Sequence, residues 1–504
     1  MVDIGGILSG FVTVFQPAIL PYLIIGFFVG LFFGVVPGLT ATLAIALLLP
    51  LTFGMETVPA LVTCMAIYMA GIYSGSVTAT TINIPGAPCA MMTQLEGYPM
   101  MQRGEGAKAL GHGAFASMIG GIIGVTILMF VAPVVARGAL LLQSSDRFSL
   151  ILLALVVVAL IGGGSIAKGV AAAALGIMIG TIGIDPTDIV ARFSFGIQPL
   201  VAGVGLIPVI VGAFAISEVL LQAETGWKGF GIAEKEAGAK LRRRDFIPRL
   251  RAIKEIGIIT YLKSAVLGTG VGALPGAGAT MAAFISYAEA KRASKHPERF
   301  GTGEVQGIAA AETANNAMCG GAIIPLVTLG IPGDTVTAMV FGVLLIHGMV
   351  PGPQLIVDRF DVIAPMYAAL MVTAVLVFIS LLIIGPYYIR IARINRAVLY
   401  TFIAMIAMIG TYASEFSTFQ LAIALVMGVL AYFFRKHGYP IVPVLMGMIL
   451  GPIAEVYFRQ AVFTSHGDWT IFFTRPASIV FLILTAVFIY FLAIRKVRKE
   501  SSAE

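Results

Sequence analysis

Four polar residues set in apolar surroundings carry the chemistry open to this chain. Asn315 and Asn316 are adjacent, Glu312 lies about one helical turn before them, and Asp334 follows Gly330-Ile331-Pro332-Gly333. Amides so placed can donate to a carboxylate or lend oxygens to a cation, and the two acids are candidates for answering to a coupling ion. Such groups inside an apolar segment are costly and generally face a cavity. Plainer roles stay open for both acids: Asp334 as the cap of the next helix, Glu312 as a solvated residue near a membrane face. A second set of candidates is built from backbone. In Pro37-Gly38-Leu39-Thr40-Ala41-Thr42 the proline ends the preceding helix near Val36, Gly38 turns the chain, and a new helix can begin near Leu39. The unpaired N–H groups of that first turn attract an anionic group, with Thr40 and Thr42 adding hydroxyls.

The elements that must position these groups occur twice. Gly30, Gly34, Pro37, Gly38, Ala41 and Thr42 recur as Gly268, Gly272, Pro275, Gly276, Ala279 and Thr280, with Gly278 in the second copy. Each copy is followed by another broken apolar stretch, Asn83-Ile84-Pro85-Gly86 and Gly330-Ile331-Pro332-Gly333-Asp334. Apolar segments interrupted at matching places in two halves point to the binding site of a secondary transporter. One such break would be no more than a proline kink with packing glycines; two in matching contexts argue for a site. No Lys or Arg falls inside these motifs, so helix N-termini, amides and hydroxyls would hold an anion. Unwound carbonyls at the breaks could bind Na⁺.

Composition sets the solvent. Hydrophobic residues make up 59% of the 504 and charged residues 11%, against about 25% charged in soluble domains. The mean hydropathy is +0.98. Long continuous apolar stretches, among them 17–36, 39–53, 57–82, 108–136, 255–274, 306–329 and 361–385, suit membrane-spanning helices rather than the alternating strands of a barrel. The expected fold is therefore an all-α polytopic membrane protein of two repeats with Pro/Gly-broken helices or helical hairpins. Its parts are a first transmembrane repeat over 1–222, a basic linker over 223–254, a second repeat over 255–494 and a tail over 495–504.

The net charge of +7 comes from loops and tail, as the positive-inside bias requires, and argues against nucleic acid. Loops at matching positions of the two halves differ in basicity. Thr52–Pro59 has no basic residue, whereas its counterpart holds Lys291, Arg292, Lys295 and Arg299; the first half starts without a basic residue, the second from a linker with Lys235, Lys240, Arg242, Arg243 and Arg244. Arg390, Arg393 and Arg396, and the tail with Arg495, Lys496, Arg498 and Lys499, share the basic side. Equivalent loops on opposite faces imply inverted repeats, with the N-terminus outside and the C-terminus cytoplasmic. The linker reads as a solvated connector, an amphipathic surface helix being the other reading.

Other chemistry finds little support. Cys64, Cys89 and Cys319 are scattered without metal-ligand or disulfide spacing, so no metal and no cofactor other than a coupling Na⁺ is expected. Ser74 lacks a nucleophile elbow, nothing in the sequence pairs it with His112 or His347, and no phosphate-binding GxxxxGK[ST] loop occurs. An enzyme is not expected.

Several long motifs resemble one family. GVVPGLTATLAIALLLPLTF, Glu96-Gly97-Tyr98-Pro99-Met100, GALPGAGAT and AAAETANNAMCGGAIIPLVTLGIPGD are similar to the large permease subunit of tripartite tricarboxylate transporters, the TctA family, most strongly over 26–112 and 265–354. Glu96 stands where the family pattern has Asp, and Asp334 where Ser is common. The resemblance implies a bacterial inner-membrane importer of di- or tricarboxylates driven by a Na⁺ or H⁺ gradient. It also implies a periplasmic solute-binding protein and a small four-helix membrane subunit as partners, within the lipid bilayer; a dimer is one option for its assembly. Alternating access at a midplane site is the expected mechanism, with a gated organic-anion channel as the alternative.

Overall fold

The computed structural model describes residues 3–161, 165–185, 187–224, 243–388 and 396–500. Lys235, Lys240, Arg242, Arg390 and Arg393 of the charge pattern lie outside these residues, as does 501–504 of the tail. Among the described residues eight helices are long and apolar enough to cross a bilayer, and two-residue strands form the one sheet. The molecule is an all-α polytopic membrane protein.

Two compact units share the chain, one made of 1–136 and 222–406, the other of 137–221 and 407–504. Each unit therefore draws on both sequence halves. The first opens with α1 (Ile4–Val14), α2 (Leu20–Val35), α3 (Ala41–Thr52), α4 (Thr57–Ile82), α5 (Met91–Gln102) and α6 (Gly106–Leu140). The chain passes into the second unit within α6 and forms α7 (Ser144–Ile161), α8 (Ile166–Gly180), strands β1 (Gly183–Ile184) and β2 (Ala191–Arg192), and α9 (Leu206–Glu224). The first unit resumes with α10 (Leu250–Ile256), α11 (Ile258–Gly272), α12 (Gly278–Ala293), α13 (Val305–Leu329), α14 (Thr335–Ile346) and α15 (Phe360–Ile384). Through α16 (Arg396–Glu415) the chain returns to the second unit and ends with α17 (Thr418–Lys436), α18 (Ile441–Thr464) and α19 (Pro476–Glu500).

The breaks fall where proline and glycine put them. Helix α2 stops at an extended Val36, Gly38 takes a φ of 91°, and α3 begins behind Thr40, whose Oγ1 accepts the Leu43 N–H at 3.2 Å. The start is Ala41 rather than Leu39, because Thr40 must stay extended to cap. In the second copy α11 ends at Ala273 and the chain turns through Gly276 (φ 81°) and Gly278 (φ 65°) into α12. Helices α4 and α13 both end on a left-handed residue, Asn83 (φ 58°) and Gly330 (φ 71°). The following isoleucine N–H then bonds back to Thr78 O in one case and Pro325 O in the other. These are Schellman-like ends with equivalent partners.

The sequence repeat is also a repeat of packing. A Cβ at Gly30 would overlap the Ile67 carbonyl of α4, and one at Gly268 the Ala314 carbonyl of α13. Likewise Gly34 lies against Gly71, and Gly272 against Met318. Ile67 to Ala314 and Gly71 to Met318 are the same step along the chain. Without a hydrophobic force between helices in lipid, close backbone approach of this kind supplies the packing. Helix α4 is buried throughout its apolar stretch, which is why its hydroxyl side chains mark no exposed stripe.

The second unit carries a short hairpin that no apolar stretch of the sequence announces. Gly183–Ile184 pairs antiparallel with Ala191–Arg192, and an ion-pair cluster lies at its base. Arg192 meets Glu455 at 2.7 Å and Asp185 at 3.3 Å; Arg459 meets Asp185 at 3.0 Å, Glu455 at 2.7 Å and Asp188 at 2.7 Å. In the same unit Asp146, fully buried, takes a two-pronged contact from Arg475 and the Ser478 N–H.

Candidate functional site

All of the candidate residues lie in the first unit. Within each half the two breaks touch. Gly86 packs on the Gly34 carbonyl, while Gly333 packs on the Gly272 carbonyl and accepts the Gly276 N–H at 2.8 Å through its own. Between halves, α3 and α14 meet near their N-terminal ends: Thr42 Oγ1 and Thr335 Oγ1 are 3.0 Å apart. Gly278, at the start of α12, faces the Asp334 side chain. Thus Pro37, Gly38, Thr40, Thr42, Pro85, Gly86, Pro275, Gly276, Gly278, Pro332 and Gly333 belong to one connected set of breaks.

Asp334 caps α14 in full. Its Oδ1 accepts the Thr337 N–H and Oγ1–H, both at 2.8 Å, and its Oδ2 accepts Tyr68 O–H at 2.8 Å. The capping reading of this residue is thereby satisfied, and Tyr68 joins α4 to it across the repeat. Asn83 is exposed and tied by Gln94, whose Nε2 donates to its carbonyl at 2.7 Å and its side-chain oxygen at 2.9 Å. No described hydrogen bond joins Asn83 or Thr280 to the other candidates.

Glu312 is fully buried rather than solvated. Thr93 of α5 donates to its Oε1, and Ser117 of α6 donates to its Oε2 at 2.8 Å. Ser76 and Asn315 flank the same carboxyl. One carboxyl on α13 is therefore the meeting point of four helices, α4, α5, α6 and α13. Asn316 donates to the Met69 carbonyl at 3.2 Å, yet its Oδ1 has no partner among the described residues, and neither does the Nδ2 or Oδ1 of Asn315. Buried polar atoms are nearly always satisfied, so these amide atoms, with the Asn315 side chain beside the Glu312 carboxyl, are candidates for meeting a ligand or an ion. Among the described residues no group of three or more His, Cys, Asp or Glu could hold a metal ion.

Thr93, Ser117 and Tyr68 are not announced by the sequence. Each is a single hydroxyl residue remote along the chain from the group it serves, and no spacing announces the pairing. Nor is Glu96 announced as a structural residue. It is fully buried, accepts Tyr287 O–H and Gly301 N–H at 2.6 Å through Oε1, and takes the N–H groups of Gly303 (2.8 Å) and Glu304 (2.7 Å) through Oε2. Arg103 holds the same loop through the carbonyls of Thr302 and Gly303.

Paired broken helices in an all-α polytopic membrane protein are the frame within which the family match falls. The family model of the tripartite tricarboxylate transporter TctA family matches residues 20–446. The chain belongs to that family. It is 33% identical over 483 residues, 94% of its length and 93% of the relative's, to an uncharacterised 52.8 kDa protein in the TAR-I ttuC' 3' region of Agrobacterium vitis. A second protein of that organism, in the TAR-II ttuC' 3' region, is 36% identical over 244 residues, covering 47% of this chain and 99% of its own length. No solved structure matches.

Proposed function

We propose that this protein is the translocating subunit of a cation-coupled importer of di- and tricarboxylates. The carrying observation is the convergence of the breaks: the N-terminal ends of α3 and α14 meet at Thr42 and Thr335, with the orphaned amide of Asn315 on neighbouring α13. The N-terminal end of α3, with hydroxyls and amides, makes a site for an anionic carboxylate without a fixed cation, and such a site releases its cargo readily. Glu312 and Asp334 are the carboxylates assigned to the coupling cation, Na⁺ or H⁺, with the unwound carbonyls at the breaks as further ligands for Na⁺. Alternating access takes place about this site, and the two halves are inverted repeats related in the membrane plane.

The family supports a wider assembly: a periplasmic solute-binding protein that delivers cargo and a small membrane subunit. On this reading the protein resides in the bacterial inner membrane, with its N-terminus outside and its C-terminus in the cytoplasm.

Uptake of radiolabelled citrate, tartrate, succinate and an aromatic dicarboxylate into vesicles holding all three subunits tests the proposal. Accumulation that requires an imposed Na⁺ or proton gradient is the expected result. Equilibration without accumulation would instead mark a gated organic-anion channel.

A further inference from the structure

A cavity of about 1080 Å³ lies beside the start of α6, walled by the loop around Gly104 and by the stretch Arg244–Glu255. We propose that it binds the phosphate group of an anionic phospholipid. The site is separate from the breaks and does not depend on the carboxylate reading.

Three observations carry this. The first i to i−4 bond of α6 runs from Ala109 N to Glu105 O, so the N–H groups of Gly106, Ala107 and Lys108 precede the helical ladder, and these residues line the cavity. They form the positive end of a 35-residue helix. His112, one turn further on, is 1% exposed and also lines the cavity, and its Nδ1 has no partner among the described residues. In its Nδ1–H tautomer that buried ring offers a donor beside the helix N-terminus.

The charge of the wall completes the case. Lys108 is engaged by Glu105 at 3.3 Å, and Arg251 by Glu255 at 3.0 Å. Arg244 and Arg249 also line the cavity and make no ion pair among the described residues, against Asp245 as the remaining carboxylate. Guanidinium groups match phosphate oxygens in pairs. Beside Arg249 in the chain, Ile247 and Leu250 form an exposed apolar strip. In a membrane protein that strip suits acyl chains, and basic pockets beside spanning helices suit lipid headgroups. A free phosphate would use the same donors but leave the apolar strip without a role.

Phosphatidylglycerol and phosphatidylcholine are offered in equal amounts to the delipidated full-length protein, and retention is read by native mass spectrometry. The expected result is a preference for phosphatidylglycerol of about fivefold or more, lost in the Arg244→Gln/Arg249→Gln double variant and reduced in His112→Phe. Melting in phosphatidylcholine nanodiscs checks that the variants are folded. A parallel melt with inorganic phosphate separates the sources: stabilisation that the double variant abolishes, without lipid preference, assigns the site to the free anion. Absence of both effects, or a lipid preference that survives in a folded double variant, overturns the proposal.

Discussion

Thr42 and Thr335 place their hydroxyls 3.0 Å apart, although they sit on first turns of helices from different sequence halves. If cargo passes between α3 and α14, locking them together must stop transport. Cysteines at both positions, with Cys64, Cys89 and Cys319 replaced, should form a disulfide under oxidation, since the side chains are within bridging reach. Uptake is then expected to fall at least tenfold and to recover on reduction. Full uptake by the cross-linked protein would remove this contact from the pathway.

Asn315→Ala separates binding from stability. Among the described residues the Asn315 amide makes no close hydrogen bond, although it lies beside the Glu312 carboxyl, so its removal should change stability by no more than about 1 kcal/mol. Uptake should nevertheless drop at least tenfold. A melting curve and a transport assay on the same preparation check both halves of this expectation.

Glu312→Ala should behave differently. It strands the Thr93 and Ser117 hydroxyls in a buried position, at about 1–3 kcal/mol for each unsatisfied group. Both stability and uptake should therefore decline. Glu312→Gln keeps the volume and should spare most of the stability while abolishing gradient-driven accumulation.

Glu96→Ala removes four accepted hydrogen bonds and should destabilise the protein by about 3 kcal/mol or more. Hydrogen exchange of the Gly301, Gly303 and Glu304 amides should rise first, since they lose their acceptor directly. Unchanged protection there would show that the loop is held by other contacts.

The hairpin of the second unit should be acid-sensitive. The Thr187 backbone N–H, helped by that of Asp188 and by Arg192 and Arg459, holds the Asp185 carboxyl below its ordinary value. A depressed carboxylate contributes stability that is present above its unfolded pKa of about 3.9 and is lost as the pH falls through the folded value. Protection of the Asp185–Val190 backbone should thus be constant from neutral pH down to about 5 and weaken only below about 4. Loss of protection already near pH 6 would point to another titrating group.

Much of the architecture was legible because it depends on local chemistry. Pro37, Pro275 and Pro332 cannot donate to a helical ladder, and Gly38, Gly276 and Gly330 accept positive φ, so the breaks follow from residue type wherever the chain folds. Hydropathy foretold α4 at 57–82 because nearly all of that stretch, 59–82, leaves water. The β1–β2 hairpin was not legible: two residues per strand leave no periodicity, and its cluster joins Asp185 and Arg192 to Glu455 and Arg459, far along the chain.

By itself the sequence determined that the chain enters a membrane, that it repeats, where its helices break, and which amides and acids lie near those breaks. Only the tertiary structure decided what these groups meet. It buried Glu312 under Thr93 and Ser117, gave Asp334 to Tyr68 and its own helix cap, and set the Asn315 amide beside Glu312 with no close hydrogen bond among the described residues. The physical reason is range. Helix ends depend on dihedral preferences over a few residues, whereas hydrogen-bond satisfaction depends on which remote helices can approach closely, and the glycines at 30, 34, 268 and 272 set that only once the helices are packed.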